Sequence, residues 1–383
     1  MDAKQSAFTE CLGGRSNEPP SSLHAAKQRR CSSLVQYIDG ILSGDRTILA
    51  QAITLVESSR AADRDLAEQI VERCLPFSGN SLRIGITGVP GAGKSSLIEA
   101  LGSFLIDKQA QKVAVLAVDP TSQLSGGSVL GDKVRMASLA ASDMAFIRGS
   151  PSRGAFGGVA QRTRESMLLC EAAGYRNILI ETVGVGQCEA AVYDMVDFFI
   201  LVAITGAGDE VQGLKRGLME LADVVLINKA DGENLRAAEQ TVAETTRAQH
   251  LLRRAPSEYA PRAIACSAHT GRGIAELWNC VLEHAALTKA NGWFDANRCD
   301  QRRRWMHEAV QDGLRQFFNS HPLIRIRMGA FEREVLAGRT TPFRAARMLL
   351  DMYSNLASGG NARAAGKEDG SEGSGAAIRP PEG

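Results

Sequence analysis

Gly88-Val-Pro-Gly-Ala-Gly-Lys-Ser95 fits the spacing G-x-x-x-x-G-K-[S/T] without a gap. Leu82-Arg-Ile-Gly-Ile-Thr87 before it has the short apolar pattern of a strand, and Ser96 to Ile106 after it has the pattern of a helix. A strand that feeds a glycine loop opening a helix is the setting in which this spacing cradles phosphate. Backbone N–H groups of the loop, with the helix N-terminus behind them, make a concave anion site. Gly88, Gly91 and Gly93 let the backbone turn and approach phosphate without a Cβ in the way. Val89, Pro90 and Ala92 complete the loop. Lys94 is expected to reach the β- and γ-phosphates, and the Ser95 hydroxyl, followed by Ser96, to ligate Mg²⁺. A chance glycine turn explains neither the strand before nor the helix after.

Outward from this loop, strand and helix patterns alternate from Ser81 to about Leu287. Strands are expected at Val113–Val118, Met144–Ile147, Asn177–Ile180, Phe198–Ile204, Val224–Ile227 and Ala263–Cys266. Helices fall between them, at Val159–Ala173, Asn234–Arg253 and Ile274–His284 among others. This alternation predicts an α/β P-loop NTPase fold, a mostly parallel sheet with helices on both faces. In such folds ligands bind at the carboxyl ends of the strands. Helical extensions flank the α/β unit. Ser33–Leu42 reads as a first helix and Asp45 as the N-cap of a second, with a third from Arg64 to Cys74 and a linker over Pro76–Asn80. Ala290–Asn297 reads as a junction, followed by helices over Arg302–Phe318, Pro322–Leu336 (with Gly338 as C-cap) and Thr341–Leu356. The expected organisation is a disordered leader at 1–32, a helical segment at 33–80, the nucleotide-binding domain at 81–288, a helical arm at 289–356 and a disordered Gly- and Ser-rich tail at 357–383.

Polar residues stand at the expected strand ends. Asn228-Lys-Ala-Asp231 has the N-K-x-D pattern of guanine readers. The Asp231 carboxylate can accept from guanine N1–H and the 2-amino group, whereas adenine offers neither donor and would leave a buried carboxylate unpaired. Asn228 and Lys229 would brace the base and the phosphate loop. Ser267-Ala268-His269, after another strand, matches the loop whose backbone N–H meets guanine O6; the His269 side chain reads as exposed. Asp119, before Pro120, ends the strand after the phosphate-loop helix and suits Mg²⁺; the plainer reading is a turn-starting aspartate. In Gly131-Asp-Lys-Val-Arg-Met136, Asp132 suits the metal shell and Arg135 the γ-phosphate, and a solvated helix start is an equally good reading. Glu181-Thr-Val-Gly-Val-Gly-Gln187 places a carboxylate before two glycines. There a Gly184 or Gly186 N–H would sense the γ-phosphate, Glu181 would reach the metal shell, and hydrolysis would move the hinge; the plainer reading is a simple turn.

Composition excludes several classes of function. The 383 residues are 44% hydrophobic with a formal net charge of +1, so no global field recruits nucleic acid or anionic membrane. The longest apolar run, near Phe198–Ile204, is too short to span a bilayer and suits a strand buried on both faces. The N-terminus lacks the apolar core of a secretory signal, and Asp2, Glu10 and Glu18 break the acid-poor pattern of an organelle leader. The eight cysteines form no C-x-x-C pair, as expected of reduced core residues in a cytosol-like compartment.

Taken together, Gly85–Ser95, Ala117–Ser122, Gly126–Lys133, Glu181–Gln187 and Gly208-Asp-Glu-Val-Gln-Gly-Leu-Lys-Arg-Gly217 resemble the MeaB/ArgK-like family. These are the GTPases that accompany adenosylcobalamin-dependent acyl-CoA mutases. The resemblance covers about Ser33 to Leu356 and places the chain in the dimerising class with signal-recognition and metal-insertion GTPases, apart from Ras-like ones. It implies that Asp119, Asp132 and Glu181 are metal-shell carboxylates. It implies that Lys94, Glu181, Asp119 and Arg135 form the catalytic set. A further switch, Asp209, Glu210, Gln212 and Lys215, would act with Gln187 to couple nucleotide state to a mutase. The helices after Trp293 resemble the family's dimerisation arm. One departure is Cys188, where the family usually has serine after the glutamine.

The resemblance implies slow GTP hydrolysis that a separate mutase polypeptide accelerates, with Mg²⁺ as cofactor. The expected task is to gate cofactor loading and rescue inactivated mutase. The chain has no D-x-H-x-x-G cobalamin motif, so no cobalamin site is expected in it. No nucleic-acid or membrane partner is expected, and the location is cytoplasmic, or the mitochondrial matrix in a eukaryote. The alternatives are a kinase acting on a small molecule or transport protein, and a metal-insertion GTPase. The first needs a separate acceptor pocket. The second needs a His-rich or Cys-rich metal tract, which the chain lacks.

Overall fold

Hydrophobic runs become the seven strands β1 (Leu82–Gly88), β2 (Val113–Asp119), β3 (Ala145–Pro151), β4 (Asn177–Thr182), β5 (Phe198–Ile204), β6 (Val224–Asn228) and β7 (Arg262–Ala265). This computed structural model describes residues 33–58, 60–119, 136–151, 156–182, 189–206, 212–251 and 256–365. The strand order is β3-β2-β4-β1-β5-β6-β7, and every pairing is parallel. The central strands are buried on both faces, which is why they read as continuous apolar runs rather than alternating ones. Successive side chains still point to opposite faces. In β5, Phe199 packs toward α1 (Leu34–Leu42), α2 (Arg46–Val56), α3 (Ala61–Cys74) and α6 (Phe156–Ala172). Phe198, Ile200 and Val202 pack toward α4 (Lys94–Gln109), α5 (Ala137–Ala141) and α10 (Ile274–Ala290). Full burial of each large apolar side chain stabilises by roughly 1.5–3 kcal/mol. The remaining helices of the α/β unit are α7 (Glu189–Tyr193), α8 (Gln212–Leu221) and α9 (Leu235–Gln249).

The helical prefix forms as its caps imply. Asp45 Oδ1 accepts from the Thr47 and Ile48 N–H groups at 2.7 and 3.1 Å, and Gly44 turns the chain at φ 79°. The prefix packs against the β3 side of the sheet, where the Arg148 guanidinium reaches Glu57 and Thr54.

The C-terminal helices differ from expectation. The junction foreseen at Ala290–Asn297 shrinks to Asn291-Gly292, with Gly292 at φ 78°, because α11 already starts at Trp293 and runs to Ser320. Two aromatics beside a glycine read locally as a break. Tertiary contact reverses that: Phe294 is buried, and the Arg298 guanidinium lies 4.4 Å from its ring centroid. Helix α12 (Pro322–Leu336) ends with Gly338 at φ 68° and the Arg339 N–H on the Glu334 carbonyl at 2.9 Å, as a glycine-terminated helix should. Helix α13 (Pro342–Ala365) continues past Leu356 into the stretch expected to be disordered.

The amino edge of the sheet carries a buried charge network that no motif announces. Arg83 in β1 pairs with Glu171 of α6 through Nε and Nη2 at 2.8 and 3.0 Å. Asp197, just before β5, accepts from the Arg83 N–H at 2.8 Å. Arg298 of α11 grips both Asp197 oxygens at 2.8 and 2.7 Å and donates to the Ser81 and Gly79 carbonyls. Burial alone would push the Glu171 carboxyl up, but Arg83, Ser81 and the Gly79 N–H together hold it below the ordinary carboxylate value. One turn after another, Gln301, Trp305 and Glu308 extend the attachment of α11, to the Val196 carbonyl (2.8 Å), the Asp194 carbonyl (3.1 Å) and Arg164 of α6 (2.6 Å). The arm is therefore built into the sheet rather than hung on it.

Candidate functional site

All the described motif residues collect at the opposite, carboxyl edge. Because β2, β4, β1, β5, β6 and β7 lie side by side, their ends set out Asp119, Glu181, the glycine loop, Asn228 and Ser267 in spatial order. The loop joins β1 to α4. Gly88 sits at φ 148°, and a Cβ there would run into the Val202 carbonyl of β5. Gly93 sits at φ 88° as the residue before α4, and a Cβ there would strike the Asn228 carboxamide. Both positions therefore require glycine for space as well as for backbone angle.

The side chains of the loop turn inward. Lys94, 7% exposed, donates from Nζ to the Gly88 and Val89 carbonyls at 2.9 and 3.2 Å, so it arches over the loop it belongs to. Burial lowers the affinity of its ammonium for a proton, and the nearby charges of Glu181 and Glu189 oppose that. An anion drawn into the loop would oppose it in the same direction. Ser95 Oγ donates to Glu181 Oε1 at 3.0 Å across the β1–β4 boundary. Behind this pair Thr182 and Thr87 share a buried hydroxyl bond of 2.9 Å. A hydroxyl and a carboxylate beside a phosphate cradle are hard oxygen donors of the kind that suit Mg²⁺.

The second half of the site is tied to the first. Asn228 at the end of β6 donates from Nδ2 to the Ala92 carbonyl at 2.8 Å and accepts at Oδ1 from the Ala268 N–H at 3.2 Å. One carboxamide thus joins the phosphate loop, the Asn228–Asp231 loop and the Ser267–His269 loop. Within the loop expected to meet guanine O6 through its backbone, the Ala268 N–H is engaged by Asn228. Asp231 and the Ser267 hydroxyl are in close hydrogen-bonded contact, which puts the carboxylate beside the Ser267 loop. His269 is exposed. Asp119 is the last residue of β2, and Gln212 and Lys215 fall in α8. Asp132, Arg135, Gly184, Gln187, Asp209 and Glu210 lie outside the described residues.

Asp231→Asn is expected to weaken GTP use on the order of 10²-fold and to raise use of XTP, because a carboxamide donates where the carboxylate accepted. Steady-state rates with both nucleotides check this, and unchanged GTP preference would remove Asp231 from base reading.

A parallel α/β sheet, a glycine loop of this spacing at the end of its central strand and an N-K-x-D loop beside it define a P-loop GTPase. Within that class the chain belongs to the MeaB family: the family model described as methylmalonyl Co-A mutase-associated GTPase MeaB matches residues 49–322. A Mycobacterium tuberculosis protein named as a GTPase is 48% identical over 319 residues, spanning 82% of this chain and 95% of that one. The mitochondrial methylmalonic aciduria type A homolog of Mus musculus is 44% identical over 326 residues, 82% of this chain and 78% of the relative. The crystal structure of a LAO/AO transport system kinase superposes with a TM-score of 0.67 at 37% identity, covering 84% of this chain and 97% of that one. The protein is a GTP-hydrolysing enzyme, and its family is one of mutase-associated GTPases. Among the described residues no helix is long and apolar enough to cross a membrane.

Proposed function

We propose that this GTPase acts as a chaperone for an adenosylcobalamin-dependent acyl-CoA mutase carried on a separate polypeptide, gating cofactor loading and protecting or reactivating that enzyme. The observation that carries the reading is the match of residues 49–322 to a family described by its association with methylmalonyl-CoA mutase. In this reading the loop Gly88–Ser95 binds the phosphates, Lys94 stabilises the charge that develops on them, and Asp231 reads guanine. Ser95 and Glu181, already bonded to each other, would hold Mg²⁺ together with Asp119 and Asp132. When bound, the ion neutralises phosphate charge during transfer to water. Arg135 and the Gly184 N–H would meet the γ-phosphate. Gln187 and the run Asp209, Glu210, Gln212 and Lys215 would report its loss to the mutase.

Helices α12 and α13 support the companion proposal of a homodimer. They border an apolar groove of about 610 Å³ lined by Phe318, Phe331, Val335, Leu336 and Leu349 among others. Leu336 and Phe343 are 87% and 85% exposed in the single chain, apolar surface that a second copy would cover. The proposed location is the cytoplasm, or the mitochondrial matrix in a eukaryote.

Adding purified acyl-CoA mutases to the protein tests the central reading. The cognate mutase should raise GTP turnover. No stimulation by methylmalonyl-, isobutyryl-, ethylmalonyl- or hydroxyisobutyryl-CoA mutase would overturn it. Transfer of the γ-phosphate to an acceptor other than water would favour a kinase.

A further inference from the structure

We propose that Asn234 is a positioning residue for base recognition: its carboxamide holds the Lys229 carbonyl, and Thr205 holds Asn234, so that Asp231 is presented in one fixed place. The inference rests on the base-reading role of the Asn228–Asp231 loop and deepens it.

The loop depends on an unusual backbone turn. Lys229 has φ 62°, a left-handed conformation that residues with a Cβ seldom adopt. That turn takes the chain off the end of β6, lets the Ala230 N–H donate to the Cys266 carbonyl at 2.9 Å, and carries Asp231 to Ser267. It also leaves the Lys229 carbonyl open to a side-chain donor. Asn234 Nδ2 supplies it at 2.7 Å. The far side of the same carboxamide accepts from Thr205 Oγ1 at 2.7 Å. A carbonyl can only accept, so the amide must turn its nitrogen to Lys229 and its oxygen to Thr205, and the threonine hydroxyl must be the donor. The chain of bonds therefore has one direction and one arrangement.

Two further features set Asn234 apart from an ordinary loop residue. It ends the single 3₁₀ turn Gly232–Asn234 that runs straight into α9, with helical angles (φ −79°, ψ −10°), and its side chain makes no capping bond. Thr205 follows directly on β5, and β5 pairs with β6 so that Ile204 stands opposite Asn228. Asn234 thus spans from the end of one central strand to the loop at the end of its neighbour, with the Asn234 N–H closing a turn onto the Asp231 carbonyl at 3.1 Å. A carboxylate that must meet two donors on one base edge needs this kind of support from the residues behind it.

The test is a titration of the full chain with fluorescent GDP and ADP, the latter to about millimolar concentration. Asn234→Ala should weaken GDP about tenfold and leave ADP unchanged, because adenine gains nothing from a well-placed Asp231. Thr205→Val should lower the GDP-to-ADP affinity ratio about threefold, and Thr205→Ser, which keeps the hydroxyl, should restore it. If Asn234→Ala does not fold, the Thr205 pair decides alone. An equal loss for both nucleotides, or a lower melting temperature with an unchanged ratio, would overturn the proposal and leave Asn234 a purely structural residue. Asp231→Asn measured alongside separates the two readings. If it leaves guanine preference intact, the loop itself is misassigned; if it shifts the preference while Asn234→Ala does not, only the role of Asn234 fails.

Discussion

Lys94→Ala is expected to give a protein that folds at least as well as the wild type and turns over GTP at least about 10²- to 10³-fold more slowly, the usual loss on removing one preorganised charge-stabilising donor. The two halves of this expectation have separate causes. In the fold, the Lys94 ammonium is buried against carbonyls of its own loop, an arrangement in which burial works against the charge. Taking it away removes a desolvated cation, so stability should hold or rise, as is common where function has been kept at the expense of stability. In the proposed reaction, the same ammonium would stabilise the charge that develops as the γ-phosphoryl group leaves. Phosphate release followed alongside a melting curve checks both halves. Wild-type turnover would mean that Gly88–Ser95 is not the catalytic phosphate loop. Lost activity with a collapsed melting curve would show that Lys94 serves the fold.

Arg298→Met should have the largest effect on stability. Methionine leaves Asp197 buried with only the Arg83 N–H, and leaves the Gly79 and Ser81 carbonyls without their guanidinium donor. Breaking a buried ion pair by removing one partner costs about 3–5 kcal/mol. Arg298→Lys should recover only part of this, because an ammonium cannot grip two carboxylate oxygens and two carbonyls at once. Removing both charges, as in Arg298→Met with Asp197→Leu, should be less damaging than the sum of the single changes. Urea midpoints read these differences directly. A midpoint for Arg298→Met within the error of the wild type would show that the network adds nothing to the attachment of the arm.

The features legible in the sequence were those written locally. The glycine loop is a contiguous string between a strand and a helix, and Asn228-Lys-Ala-Asp231 directly follows an apolar run, so each motif carries its own structural context. The order of the sheet then brings them together, as expected of carboxyl-end residues in a parallel fold. What was not legible depends on pairs far apart in the chain. Arg83 looks like a single polar residue in an apolar strand; its side-chain partner Glu171, and the Asp197–Arg298 pair that its N–H joins, come from three other places. An arginine in a central strand does signal that a buried acid must exist, but not which one. The start of α11 is not written locally, because Phe294 becomes helical through contacts that arrive from elsewhere. Asn234 looked like a helix opener, and its neighbour across the gap, Thr205, belongs to another strand end.

The central place of β1 has a consequence for how the protein comes into being. β1 is hydrogen-bonded to β4 and β5, and to neither β2 nor β3. Its partners therefore leave the ribosome about 100 residues after it, an interval of roughly 5 to 25 s at ordinary translation rates. Until they arrive, β1 is an unpaired apolar strand on a nascent chain, exposed to wrong pairing and to holdase chaperones. The Val202 carbonyl, which leaves room only for glycine at position 88, is itself part of the late-arriving β5. Every atom of the nucleotide loop exists once Ser95 has been added, but the loop takes its shape only when much later residues close around it.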